Sequence, residues 1–158
     1  MLSNLWIMRH GLAESIFESD FSRALSATGA VQAKNVARQL IDESDILPTH
    51  MLASPFARTQ STAKIVRHEL GLTEDFETEE LLVHFGDYKM LGDYLLASDF
   101  HNLIIVSHMP IVASLCQYLA TNSEVYGFKT AQIVQISFSQ DAQSNNVGKV
   151  SKVYLPKL

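Results

Sequence analysis

The segment Leu103-Ile104-Ile105-Val106-Ser107-His108-Met109-Pro110 decides the fold of this chain. Its leading aliphatic residues form an unbroken apolar run, which is typical of a strand covered on both faces. Pro110 favours the first turn of a helix, and Ile111, Leu115 and Leu119 then recur at helical spacing. The segment therefore predicts a buried strand, a short turn and a helix in direct succession.

Two earlier segments repeat this order. Leu5-Trp6-Ile7-Met8 predicts a buried strand that ends at Arg9-His10-Gly11 and feeds a loop. Ser26 predicts the N-cap of the first helix, and the residues expected on its apolar side are Ala30, Ala33, Ala37, Leu40 and Ile41. Met51-Leu52-Ala53 predicts the next strand, followed by a helix with Ser54 as N-cap and Pro55 as its first residue, which ends near Gly71.

The rest of the chain completes an alternating pattern. Residues 88–97 predict a helix, residues 131–138 and 149–155 predict two strands, and the polar residues 139–146 predict the hairpin loop between them. No element is predicted for residues 79–86. Alternating strands and helices favour an α/β fold, a three-layer αβα sandwich whose mainly parallel sheet has an antiparallel edge.

Length and composition limit the class of protein. At 158 residues the chain is expected to be a single domain, 1–158, and 47% hydrophobic with 18% charged residues excludes a disordered protein. The net charge of -5 argues against nucleic acid or an anionic membrane as partner. Cys116 is the only cysteine, which excludes an internal disulfide and a cysteine-cluster metal site. Without a membrane-spanning run or a signal peptide, the chain is expected to be cytoplasmic.

The ends of the predicted strands carry residues suited to phosphoryl transfer. Ligands of open parallel sheets bind beyond the carboxyl ends of the strands, where Arg9-His10, Ser54 to Arg58 and Ser107-His108 lie. A neutral imidazole is a competent nucleophile toward phosphorus, and His10 is placed for that role. Arg9 and Arg58 are suited to hold the charged phosphoryl oxygens, and they also disfavour protonation of a nearby histidine.

These three motifs, in this order, resemble the histidine phosphatase superfamily, in the branch that contains cofactor-dependent phosphoglycerate mutases. The resemblance runs from about residue 4 to residue 155 and depends on Arg9-His10-Gly11, on Ser54-Pro55 with Arg58, Gln60 and Thr62, and on Ser107-His108. It implies a phosphoglycerate mutase-like fold. It also implies that His10 is the phosphorylated nucleophile, that Arg9, Arg58 and His108 hold the phosphoryl oxygens, and that no metal or organic cofactor takes part.

Within the superfamily, the short chain is most similar to bacterial phosphohistidine phosphatases of the SixA type. It has little length for the insertions that roof the mutase active site, so a protein surface can enter. The resemblance implies a phosphohistidine on a phosphotransfer domain of a signalling or sugar-uptake relay as substrate. It makes Arg23 a candidate fourth phosphate ligand, and a solvated loop arginine is the alternative for that residue.

One position departs from the superfamily pattern. Branch members that cleave phosphate esters usually place a glutamate proton donor four residues before a glycine, where this chain has Leu82 ahead of Gly86. Glu80, His84 and Asp87 lie nearby without the expected spacing, so the donor stays unassigned. An ester must lose an alkoxide that needs a proton, whereas phosphohistidine can be protonated on its ring before cleavage. The departure favours a phosphoramidate substrate.

Three alternatives stay open. A phosphatase for a small ester, such as a sugar or nucleotide phosphate, requires an acid in residues 79–87. A silent module that binds phosphate or a phosphorylated protein does not require an imidazole at the attacking position. A zinc site built from His10, His108 and a carboxylate is opposed by the adjacent arginines, which repel a cation. His50, His68 and His101 are interpreted as surface or structural residues, Cys116 as core, and Ser54 and Ser107 as capping or backbone-bonding residues.

Overall fold

The computed structural model describes residues 1–140 and 146–157. Along the chain these residues form β1 (Asn4–Arg9), α1 (Ala27–Glu43), β2 (His50–Ala53), α2 (Ala57–Leu70), β3 (Glu77–Thr78), α3 (Tyr88–Ala97), β4 (Asn102–Ser107), α4 (Ile111–Leu119), β5 (Ile133–Gln140) and β6 (Asn146–Tyr154). A single 3-10 turn, Glu80–Leu82, connects β3 to α3. Among these residues, no helix combines the length and the apolar character needed to cross a membrane.

The strands form one six-stranded sheet in the order β3-β2-β4-β1-β5-β6. The pairs β2/β3, β2/β4 and β1/β4 are parallel, while β1/β5 and β5/β6 are antiparallel. The predicted α/β fold, with a mainly parallel sheet and an antiparallel edge, is confirmed. Because β4 lies between β1 and β2 and is parallel to both, the carboxyl ends of these three strands lie side by side at one edge of the sheet.

Alternate residues of the central strands point to two separate apolar layers. One layer packs against α3 and α4 and includes Leu5, Ile7, Leu103, Ile105, Leu91, Leu95, Leu115 and Cys116. The other packs against α1 and α2 and includes Trp6, Met8, Ile104, Val106, Ala33, Val36, Leu40, Ala63 and Val66. This period of two on a sheet covered on both faces explains the unbroken apolar runs of the sequence. Cys116 lies in the core as predicted.

Most helix and strand predictions hold to within a few residues. Ser26 caps α1 as predicted, since its hydroxyl oxygen accepts from the N–H of Gly29. The buried side of α1 contains Val36 in addition to Ala33, Ala37 and Leu40, whereas Ile41 is exposed. Because successive helical residues are about 100° apart, Ile41 falls at the border of the buried stripe.

Three details differ from prediction. Helix α2 begins at Ala57 with Phe56 as N-cap, so neither Ser54 nor Pro55 starts it. The short β3 was not predicted, because two residues carry no detectable periodicity. Strands β5 and β6 extend into the predicted hairpin loop from both sides, and its centre, residues 141–145, lies outside the described residues.

Candidate active site

The strand-end residues lie together at the carboxyl edge of β1, β2 and β4. Arg9 is the last residue of β1 and is paired with Ser107 at the end of β4. The backbone N–H of His10 donates to the carbonyl of Ser107 at 3.0 Å, and the His10 and His108 rings are 5.4 Å apart between centroids. Ser54, which follows β2, is hydrogen-bonded through Oγ to Nε2 of His108 at 2.7 Å. The parallel register therefore brings all three motifs to one place.

Hydrogen bonds fix the tautomer of His10, whose side chain is almost fully buried. Nδ1 lies 2.6 Å from the carbonyl oxygen of Gly11. Since a carbonyl oxygen only accepts, Nδ1 carries the proton and donates it there. Nε2 accordingly keeps its lone pair and accepts from Nε of Arg58 at 3.3 Å. The basic nitrogen of His10 thus faces the guanidinium group.

The glycine after His10 is required by close backbone packing. A Cβ atom at Gly11 would lie 2.5 Å from the carbonyl oxygen of Gly29 in the first turn of α1. The Gly11 N–H donates to Oγ1 of Thr62, which in turn donates to the carbonyl of Arg58. These contacts tie the loop after β1 to α2, so that the carbonyl of Gly11 stays in place to hold Nδ1 of His10.

Arg58 is buried and held by a loop residue that sequence analysis missed. Its Nη1 donates to the carbonyl of Asp20 at 2.8 Å, and its Nη2 lies 3.3 Å from Oδ2 of Asp20. The other carboxylate oxygen of Asp20 is 3.5 Å from Nη2 of Arg23. Asp20 therefore connects the predicted ligand Arg58 with the candidate ligand Arg23. No periodicity or motif spacing marks Asp20 in the sequence.

Several buried nitrogen atoms around His10 lack a hydrogen-bond partner within residues 1–140 and 146–157. They include Nε of Arg9, Nε of Arg23 and Nδ1 of His108. Arg9 is anchored by another atom, because its Nη1 donates to the carbonyl of Phe128 at 2.7 Å. An unpaired buried donor costs about 1–3 kcal/mol, so the two guanidinium Nε–H groups favour an anion as ligand.

Burial keeps the imidazoles of the site neutral. Burial, opposed by the hydrogen bond to Gly11 and assisted by the charge of Arg58, lowers the pKa of His10 to about 4. Burial, assisted by His10 and Arg58, lowers the pKa of His108 to about 2. At neutral pH the site therefore combines an unprotonated imidazole with cationic guanidinium groups, which suits nucleophilic attack on a phosphoryl group.

Residues 5–101 match the family model of the histidine phosphatase superfamily, branch 1. The chain belongs to this superfamily. Together with the phosphatase relatives described next, membership identifies the protein as a phosphatase, and the matched residues include Arg9, His10 and Arg58.

Relatives within the superfamily cover nearly the whole chain. The phosphohistidine phosphatase SixA homolog of Haemophilus influenzae is 30% identical over 146 residues, which cover 84% of this chain and 87% of that protein. Phosphohistidine phosphatase SixA of Escherichia coli is 27% identical over 139 residues, which cover 86% of each chain. The solved structure of the protein histidine phosphatase SixA complexed with tungstate superposes with a TM-score of 0.85 at 27% identity, covering 97% of each chain.

The segment that carries the ester proton donor in other branch members presents a different residue to this site. Leu82, at the expected donor position, is fully buried in the apolar layer that packs against α3 and α4. Glu80 is exposed, and Asp87 caps α3 by accepting from the N–H groups of Lys89 and Met90. Neither carboxylate takes the place of the glutamate.

His84 is the residue of this segment that contacts the site. Its Nε2 is 3.6 Å from Oδ2 of Asp20, and its ring lies 5.0 Å from the ring of His108 between centroids. Burial lowers the pKa of His84, and Asp20 opposes this effect. The sequence named His84 only as a neighbour of the expected position, because spacing along a loop does not reveal which side chain turns inward.

Interpretations from the sequence also concern three further histidines, two serines and a metal site. His50, His68 and His101 are exposed. The Ser107 hydroxyl donates to the carbonyl of Leu82, and Oγ of Ser54 accepts from the N–H of Phe56 at 3.4 Å, so both serines bond to the backbone as predicted. Ser54 also bonds to His108 and does not cap a helix. Within residues 1–140 and 146–157, no three His, Cys, Asp or Glu side chains are grouped to hold a metal ion.

Proposed function

We propose that this protein is a phosphohistidine phosphatase that dephosphorylates a phosphohistidine on a protein, such as a phosphotransfer domain, through phosphorylation of His10. The observation that carries the proposal is the orientation of His10, whose Nδ1–H donates to Gly11 and whose Nε2 keeps its lone pair beside Arg58. The names of the SixA relatives supply the substrate class. We further propose that residues 1–158 form one domain that acts in the cytoplasm.

In the first step, Nε2 of His10 attacks the phosphorus of the substrate. A P–N bond to His10 forms while the P–N bond to the substrate imidazole breaks. The substrate imidazole, protonated beforehand on its other ring nitrogen, leaves as a neutral molecule with the electron pair. Arg9, Arg58 and His108 hold the phosphoryl oxygens, and the unpaired Nε of Arg23 supports a fourth contact.

In the second step, water attacks the phosphorus of phospho-His10. The new P–O bond forms, the P–Nε2 bond breaks, and its electron pair returns to Nε2. Since Nδ1 keeps its proton against the Gly11 carbonyl, His10 leaves as a neutral imidazole and the product is dihydrogen phosphate. The guanidinium groups supply the positive charge in both steps, so the proposal assigns no role to a metal ion.

The substrate proposal rests on the leucine that stands where ester-cleaving members have a glutamate. A phosphohistidine substrate carries the proton that its leaving group needs, so its cleavage does not require an acid at the position of the buried Leu82. A small phosphate ester is the second candidate substrate, and the placement of His84 beside His108 is the observation in its favour. A silent binding module is not supported, because pure phosphate binding gains nothing from an unprotonated imidazole among the cations.

One comparison tests the function. The kcat/KM of the purified protein is measured on a histidine-phosphorylated protein, free phosphohistidine and a panel of sugar and nucleotide phosphates, each with and without EDTA. We expect phosphohistidine compounds to be the better substrates and EDTA to have no effect. A faster reaction with a small ester would favour the second candidate, and activity lost in EDTA and restored by zinc would favour the metal site.

A further inference from the structure

Exposed apolar side chains lie on the loops beside the active site. Residues 12–25 carry Ile16, Phe17 and Phe21, and the turn before α3 carries Phe85. Ile16 is 91% exposed and Phe85 is 83% exposed. Isolated exposed apolar residues are common on proteins, but a group of them surrounded by polar residues marks an interaction surface. We call these four residues the apolar rim.

Ring contacts connect the apolar rim to the active-site residues. The ring of Phe85 is 4.6 Å from that of His84, which in turn is 5.0 Å from His108. On the other side, the guanidinium carbon of Arg23 lies 5.0 Å from the ring centre of Phe17. The rim therefore borders the place where the phosphoryl group is proposed to bind.

The same two loops are acidic. Residues 12–25 and 79–87 contain six carboxylates, Glu14, Glu18, Asp20, Glu79, Glu80 and Asp87, against the single cation Arg23. Such a rim repels a small anionic substrate at a distance and attracts a partner with lysines or arginines. Covering the apolar side chains with a partner makes the free energy of binding more favourable, and a hydrophilic sugar phosphate cannot cover them.

We propose that the apolar rim and its carboxylates are the docking surface for the phosphoprotein substrate, and that the substrate presents apolar and basic residues around its phosphohistidine. This inference rests on the proposed function and specifies the partner surface. Phe85 and Ile16 are the residues expected to contact the partner, because they are the most exposed residues of the apolar rim. Docking there places the phosphohistidine between the rim loops and toward His10.

Two peptides of equal length, each phosphorylated on one histidine, test the proposal together with free phosphohistidine. Leucine and lysine flank the phosphohistidine in one peptide, and serine and glutamate flank it in the other. We expect kcat/KM to be at least about tenfold higher for the leucine and lysine peptide, the effect of one well-buried contact. Phe85→Ser and Ile16→Ser are expected to remove most of this preference without changing turnover of free phosphohistidine.

Ile46→Ser is the matched control, because Ile46 is an exposed isoleucine, 48% accessible, that precedes β2 at the opposite edge of the sheet. It is expected to keep the peptide preference. Equal kcat/KM for the two peptides in the wild type would overturn the docking proposal while leaving the phosphohistidine phosphatase intact. Loss of a dimer in Phe85→Ser with the preference unchanged would assign the rim to self-association instead. Failure to hydrolyse any phosphohistidine compound would refute the proposed function itself.

Discussion

Nε of Arg58 donates a hydrogen bond to Nε2 of His10 over 3.3 Å, so the cation expected to bind the phosphoryl group also contacts the lone pair that attacks it. The contact needs Nε2 to be unprotonated, and it makes protonation of the ring more costly because a second positive charge would face the first. Arg58 is in turn fixed by two contacts with Asp20. The nucleophile and its charge partner are therefore organised before any substrate enters.

His10→Ala is expected to abolish turnover, because among the described residues no other imidazole has its free nitrogen against a buried guanidinium. With the wild type and a phosphohistidine substrate, quenching without acid should trap phosphate on His10. Full activity in His10→Ala, or label on a serine, would contradict the assignment of the nucleophile.

Arg58→Lys should lower kcat/KM by about 10²–10³-fold, similar to the loss of an oxyanion donor, although it keeps the positive charge. A lysine lacks the fork that contacts both the carbonyl of Asp20 and Nε2 of His10. Arg9→Ala is expected to cause a loss of the same order. Arg38→Lys is the control, since Arg38 pairs with Glu69 on α2 and lies away from the site. A decrease as large in Arg38→Lys would show that the losses reflect general instability.

The pKa of His10 should lie below that of an ordinary histidine. An ordinary histidine titrates near pH 6.5, but burial, with Arg58 assisting, lowers the pKa of His10 to about 4. The ring should therefore stay neutral, with its proton on Nδ1, across pH 5–8. Two-dimensional ¹H–¹⁵N spectra of labelled protein report both the tautomer and the pKa. A proton on Nε2, or a midpoint near 6.5, would contradict the geometry described for this residue.

Stability should fall in mild acid for the same reason. The folded-state pKa values of His10 and His108, about 4 and about 2, lie below the unfolded value near 6.5. Between pH 6.5 and its folded-state pKa, each histidine is protonated in the unfolded chain but not in the folded chain. Over that range each lowers the free energy of unfolding by about 1.4 kcal/mol per pH unit as the pH falls. His108→Gln should reduce this slope between pH 6 and pH 4, measured by urea unfolding. Parallel slopes for variant and wild type would show that His108 is not held neutral by the fold.

Most of the fold and of the site could be predicted from the apolar runs of the strands and from the polar residues at their ends. Because β1 and β4 are covered on both faces, their runs end where the sheet ends, and Arg9, His10 and His108 follow at that edge. Asp20 was missed because it reaches Arg58 across a loop without periodicity, through a contact that no local spacing encodes. The sequence also does not reveal which way a loop side chain points, as the burial of Leu82 and the inward position of His84 demonstrate.

Residues 79–87 are where a proton donor for ester cleavage is expected. Leu82→Glu, which from the sequence alone is a way to restore the acid, should instead destabilise the protein, because it buries a carboxylate in the core.

His84 is the remaining group of this segment beside the site, and its lowered pKa leaves it mostly unprotonated at neutral pH, so phosphate esters should be poor substrates. His84→Asn should lower the residual ester hydrolysis by about 10²-fold, the lower range of general acid catalysis, while the rate on phosphohistidine stays within about threefold. Glu80→Gln and Asp87→Asn should change neither rate, because the first residue is exposed and an asparagine still caps α3 in the second. Parallel kcat/KM measurements on phosphohistidine and one sugar phosphate decide the matter: an equal loss on both substrates in His84→Asn would mean that this histidine holds Asp20 in position and does not supply a proton.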